Sequence, residues 1–276
     1  MGRLFGKRIG VDIAGRAYRE HEINFAAQLS ISSEPDEATI KLYNLTDDDR
    51  ASIESSQRGA AIALRAGYAD TDPIPVIFYG EFRKAETTRE GPDLITEIDA
   101  KSALRAREYG RQLNRTYRAG TQVQTVIRDL LSTCDLGEGN LSQSLRTIQI
   151  DGVGGQLNAP FSVHGPAWES LVTLLESKGF HVTTQGSNLQ ALSVNNALNR
   201  TAIVLSESSG LRGQPSVDGR GHVKCDCAMV PDLVPGRLIQ IVSERVNVTF
   251  RANTVHYVGS LFGTEFGATV EGRTLR

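Results

Sequence analysis

The chain has 276 residues, 39% hydrophobic and 22% charged, the composition of a folded protein with room for two or three domains. A formal net charge of -2 excludes the basic surplus of a general nucleic-acid binder, and 6% aromatic residues with a single tryptophan, Trp168, leave little for a sugar-stacking surface. No apolar run approaches the roughly 18 residues of a membrane helix, the N-terminus runs into Lys7-Arg8 without the apolar stretch of a signal peptide, and three cysteines make no disulfide framework, so the expectation is folding in a cytoplasm.

Residues 1–105 read as strands. Ile9, Val11 and Ile13 alternate with Gly10 and Asp12. Ile23, Phe25, Ala27, Leu29 and Ile31 form the cleanest period-2 run in the chain, and Ala38, Ile40 and Leu42 repeat it after the turn signal Glu34-Pro35-Asp36. Thr46 then caps a short helix whose first turn, Asp47-Asp48-Asp49, suits the positive end of the helix dipole. Four more strands are expected at 60–68, 75–82, 83–89 and 93–100, a spacing that suggests a small barrel or sandwich.

Residues 106–195 change character. Val123, Val126, Ile127, Leu130 and Leu131 fall at helical spacing, with Thr121 as the expected cap. The glycines from Gly137 to Gly155 predict an irregular or mobile loop, poorly ordered until assembly. A second helix is expected from Gly165-Pro166, with proline at its first position, to Gly179, with Trp168 as a core residue. Phe180 to Thr184 and Leu189 to Val194 predict a hairpin around Gly186-Ser187. Residues 196–276 return to strands beginning at Val223, Leu238, Val246, Val255 and Phe266.

A weak repeat links the two outer parts. Gly59 leads a strand that is followed by a second strand and a closing alternating strand, Leu94 to Ala100. Gly236 leads the same succession, closing at Phe266 to Val270. The fold class expected is therefore β-rich α+β: two similar small β-barrel domains, 1–105 and 196–276, with an α/β module inserted at 106–195.

Catalytic chemistry is not legible. There is no Gly-x-Ser-x-Gly elbow and no His-Glu-x-x-His pair. Cys225 and Cys227 are one residue apart in a strand, and Cys134 is the only other sulfur. With His222 nearby but no second ligand pair, they read as buried strand thiols and not as a zinc site. His256, between Val255 and Tyr257, reads as a hydrogen-bonded structural histidine. Gly152-Val153-Gly154-Gly155 lacks the lysine and hydroxyl residue of a phosphate loop. No catalytic, cofactor-binding or metal-binding residue is expected, and no cofactor.

Three stretches carry a family resemblance. Glu34 to Thr46, ending Tyr43-Asn44-Leu45-Thr46, resembles a strand near the start of late-control-D-like baseplate hub proteins of contractile-tailed phages. Gly210-Leu211-Arg212-Gly213-Gln214-Pro215, Pro231-Asp232-Leu233-Val234-Pro235-Gly236 and Thr254-Val255-His256-Tyr257-Val258-Gly259 resemble their last domain. Phe161 to Trp168 resembles the strand-to-helix entry between the two. The chain departs from the pattern at Ser260 and at Arg212. The resemblance implies a non-enzymatic virion protein of the tail baseplate, assembled in the host bacterial cytoplasm: a homotrimeric adaptor between a sixfold tail tube or tube-initiator protein and a threefold central spike, with a tape-measure protein as a further partner. It implies neither membrane insertion nor specific nucleic acid binding. The alternatives from other classes are a tail-associated cell-wall hydrolase and a glycan-binding module.

Overall fold

The computed structural model describes residues 6–19, 21–108, 110–141, 155–193, 196–198 and 201–275. In chain order, β1 (Lys7–Ile13), β2 (Arg16–Tyr18), β3 (Ile23–Ser30), β4 (Glu37–Tyr43), α1 (Asp47–Glu54), β5 (Ala61–Tyr68), β6 (Val76–Glu90) and β7 (Asp93–Lys101) come first. Next are α2 (Leu104–Glu108), β8 (Gln112–Tyr117), α3 (Val123–Thr133), β9 (Phe161–Pro166), α4 (Ala167–Glu176), β10 (Phe180–Gln185) and β11 (Asn188–Ser193). The last are β12 (Ile203–Ser206), β13 (Leu211–Val217), β14 (His222–Ala228), β15 (Leu238–Val242), β16 (Asn247–Ser260) and β17 (Phe266–Arg273). The chain divides into two units. One comprises Met1–Ile31, Asp36–Lys101 and Ala197–Arg276; the other comprises Ser32–Pro35 and Ser102–Asn196.

The first unit is built on one 13-stranded sheet, in the order β13-β14-β17-β16-β3-β4-β7-β6-β5-β1-β2, with β15 added along β16 and β12 along β15. Its first half contains β3-β4-β7-β6-β5-β1 and its second half β13-β14-β17-β16-β15-β12, so the strands of the two halves neighbour one another in the same succession. The correspondence extends to single bonds. Gly59 (φ 88°) donates its N–H to Phe82 O at 2.8 Å, and Gly236 (φ 91°) donates to Ala252 O at 2.7 Å. Phe82 N bonds back to Ala60 O, and Ala252 N to Arg237 O. Tyr43 N donates to Glu22 O, and Ala228 N to Gly210 O. Glycine is required at both strand starts because an L side chain in the left-handed region meets its own backbone.

Two expectations change here. The separate closed barrels are not formed by strand pairing: β3 and β16 pair antiparallel over seven residue pairs and fuse both halves into one open sheet. The strands expected at 75–82 and 83–89 are one strand, β6, and those at 246–250 and 255–261 are one strand, β16. Each is bent where the register shifts, between Phe82 and Lys84 and between Ala252 and Thr254. An extra residue in one strand kinks and twists it without ending it. The bend lets β6 pair with β5 through Val76–Glu81 and with β7 through Glu81–Glu90. Also unforeseen is β12, which runs parallel to β15, whereas its counterpart β1 runs antiparallel to β5. The core is supplied by the alternating positions: Ile23, Phe25, Ala27 and Leu29 on β3, Ala38, Ile40 and Leu42 on β4, and Val255 and Tyr257 on β16 are all buried.

In the second unit, α3 and α4 bury Val126, Ile127, Leu130, Trp168, Leu171 and Leu175 in a shared core with the β10–β11 hairpin. Trp168 is the core residue the sequence predicts, 6% exposed, and the Arg107 guanidinium lies 4.4 Å from its ring centroid. The helix N-caps are Gln122 and Pro166, one residue off the expected positions, and neither makes a side-chain capping bond. The unpredicted ribbon β8–β9 is tied to α3 through Asp129, which accepts from Tyr117 Oη at 2.5 Å and from Arg115. Gly137 and Gly139 are glycines for close approach: a Cβ would stand 2.0 Å from Asn188 Oδ1 at Gly137 and 1.9 Å from Leu189 O at Gly139. Residues 142–154, the rest of the glycine-rich segment, lie outside the described residues.

Candidate functional site

Several of the motifs singled out in the sequence hold elements of the fold together. Asn44, in the Tyr43-Asn44-Leu45-Thr46 stretch, has φ 51°. Its side chain accepts from Leu94 N at 3.0 Å and donates to Asp93 at 2.8 Å, tying the end of β4 to the start of β7. Thr46 caps α1 as predicted, its Oγ1 accepting from Asp49 N. In the Pro231 to Gly236 turn, Tyr257 Oη lies 2.7 Å from Leu233 O and 2.8 Å from Val230 O, so its one proton serves a buried carbonyl cluster. Cys225 and Cys227 are buried on the core face of β14, and burial pushes both thiols up to about 12. His256 departs from its expected role: it stands exposed on β16, paired in register with Gln28 and Thr269. His222 lies 3.1 Å from Asp218 at a surface turn. Among the described residues, no three His, Cys, Asp or Glu side chains gather as a metal site.

What remains is the other face of the sheet. Opposite the core positions of β14, β17, β16, β3, β4, β7 and β6 runs a second, mostly polar face, because side chains alternate across a pleated strand; it is solvent-facing except where Ile95, Glu81 and Arg251 are buried. Among the described residues it carries basic Lys41, Lys84, Lys101, Lys224 and Arg273, joined by Arg83 at the register shift, which reaches Asp99, and acidic Glu37, Glu86, Glu90, Asp93, Glu97, Asp99, Asp226 and Glu271. Each lysine is matched to a carboxylate on the neighbouring strand. Lys101 is 2.6 Å from Glu37, Lys224 is 2.9 Å from Glu271, Lys41 is 3.0 Å from Glu97 and Lys84 is 3.5 Å from Asp99. The hydrogen bond that Lys41 donates to Glu97 raises the Lys41 pKa, and the one that Lys224 donates to Glu271 raises the Lys224 pKa. Exposed and partly exposed pairs of this kind add little to stability, because solvent screens them. Their main consequence is for the surface potential, which they leave neutral to weakly acidic. Sequence reading could not locate this face, since it is assembled from strands up to about 250 residues apart, paired only in three dimensions.

No family model matches the chain, and no curated protein does. Solved structures do. The chain is similar to the 43 kDa tail protein of prophage MuSo2 from Shewanella oneidensis, with TM-score 0.68 at 9% identity, covering 99% of this chain and 98% of that one. It is similar to the tail protein from Neisseria meningitidis MC58, with TM-score 0.64 at 8% identity and coverage of 98% and 97%. It also resembles the E. coli c3393 protein, a component of the type VI secretion system, with TM-score 0.63 at 11% identity, covering 96% of this chain and 77% of that one. The fold is that of these tail and secretion-system proteins.

Proposed function

We propose, from the fold shared with phage tail proteins, that this chain is a structural hub protein of a tail baseplate or a related contractile injection machine, acting as a trimeric adaptor between a sixfold tube and a threefold spike. The observation that carries the reading is the internal repeat: six strands in one neighbour order occur twice, with the glycine-led bonds at Gly59 and Gly236 in corresponding places. Three copies then present six similar β-domains to a sixfold partner, while the chain itself repeats only three times for a threefold one. The partners on this reading are a tail tube or tube-initiator protein on one side and the spike on the other, with a tape-measure protein as a further contact. The polar sheet face suits the wall of a channel that DNA or another polyanion must pass, because its lysines are already neutralised and offer few free charges to phosphates.

The test is the mass of the protein in solution, alone and with its spike partner. A species of three times the 30.0 kDa chain is expected. A species that stays monomeric in the presence of both neighbours overturns the adaptor. In parallel, a turbidity assay on purified cell walls should show no clearing, and clearing would favour the hydrolase alternative.

A further inference from the structure

Within one chain, Thr254–Ser260 of β16 pairs with β17 on one edge and with β3 on the other. The corresponding stretch of the first half is Lys84–Glu90 of β6. The correspondence is fixed by the two register shifts and by the pairing partners: Lys84 stands opposite Asp99 where Thr254 stands opposite Glu271. Lys84–Glu90 pairs with β7 on one edge only, because β5 takes only Val76–Glu81. The counterpart of β3 is β13, the last strand of the sheet order, paired to β14 and to no other strand among the described residues. Each half therefore has one member of the β3–β16 joint to spare, and six strands lie between β13 and β6.

We infer that β13 of one copy docks on the Lys84–Glu90 edge of β6 in a second copy, repeating between chains the joint that β3 makes with β16 inside one chain; this rests on the trimeric reading above. Transferring the intrachain register places Arg212 opposite Glu90, Ser216 opposite Thr88 and Val217 opposite Thr87. The first pair joins opposite charges. Val217 is a large apolar side chain 43% exposed, while Ala27, its counterpart on β3, is 1% exposed beneath the joint with β16. The new pairing would cover it. The edge is short and interrupted: the register of β13 shifts between Arg212 and Ser216, around Gly213 (φ 61°) and Pro215, and the chain turns away after Val217. Proline and irregular pairing block indiscriminate strand addition, so the joint is confined to the two flanks of the shift. The contact is head to tail, using different surfaces on the two copies, and such contacts form a ring when their rotation closes.

The experiment uses two single variants, Ser216→Cys and Thr88→Cys, both at exposed positions, in a chain whose own three cysteines are buried. Oxidised separately, each should remain unlinked. Mixed and oxidised at the highest soluble concentration, they should give a disulfide-linked pair, and the double variant should give a ladder that stops at three chains. Circular dichroism of each variant checks that the sheet is intact. Linkage of either single variant to itself overturns the head-to-tail register. A sample trimeric by light scattering that forms no mixed adduct overturns the joint and leaves the trimer standing. A sample that stays both monomeric and unlinked with the tube and spike partners present overturns the two together.

Discussion

Asn44 concentrates several demands on one side chain. It sits in the left-handed region at φ 51°, and its amide bridges Asp93 and the Leu94 backbone. Asn44→Ala keeps the unfavourable backbone and loses both bonds, so a loss of roughly 1–3 kcal/mol is expected. Asn44→Gly relieves the backbone and should cost less; urea denaturation of both variants separates the two contributions. Cysteine chemistry offers a second test at this scale. Burial raises the Cys225 and Cys227 thiols to about 12 and Cys134 to about 11, against 9.0 for a free thiol. Between those values the unfolded chain loses protons that the folded one keeps. Stability therefore falls as pH rises above about 9, and the buried Tyr257, whose pKa is also raised by burial, steepens the fall above 10. Cys225→Ala/Cys227→Ala should flatten the slope of unfolding free energy between pH 9 and pH 11, and an unchanged slope would contradict the account.

Among the elements, the repeat can be measured directly. Gly59 and Gly236 start β5 and β15 in the same conformation and make the same bond. Gly59→Ala and Gly236→Ala should each cost about 1–2 kcal/mol of left-handed strain. Markedly unequal losses would mean that the two halves share an order of strands but not its energetics. In the second unit, the β8–β9 ribbon is held to α3 by Asp129. Its carboxyl is kept below its ordinary value by the hydrogen bond from Tyr117 and then by Arg115, against desolvation. A depressed carboxyl stabilises the fold above the unfolded value of 3.8 and loses that contribution as pH falls through the folded value. Tyr117→Phe should remove about 1.5–3 kcal/mol, the range for a hydrogen bond to a charged group. The variant should also weaken the acid dependence of unfolding, which a mere packing loss would leave unchanged.

For the whole molecule, the charge mosaic of the sheet face is the property that function would depend on. Replacing Glu37, Glu97 and Glu271 by Gln leaves Lys101, Lys41 and Lys224 without their carboxylates. The native protein should show no measurable affinity for duplex DNA at moderate salt. The triple variant should bind weakly, with an affinity that falls steeply as salt rises, because binding would then release counterions. Fluorescence anisotropy with a labelled duplex reads both, and tight binding by the native protein would exclude this face as a channel wall.

The sequence by itself determined what depends on neighbours along the chain. Alternation at Ile23 to Ile31 and Ala38 to Leu42 placed β3 and β4 and named their core face. Thr46 announced α1, Gly186-Ser187 announced the β10–β11 turn, and Gly59 and Gly236 exposed the repeat. Only the tertiary structure decided what depends on partners far away. It made single bent strands of β6 and β16, since an extra residue at a register shift looks like a strand end when only one strand is visible. It joined β3 to β16 and so replaced two closed barrels with one open sheet: pairing is chosen between edges more than two hundred residues apart, and local periodicity carries no information about which edges meet. It matched Lys41 with Glu97 and Lys224 with Glu271, pairs that exist only once strand register has been set.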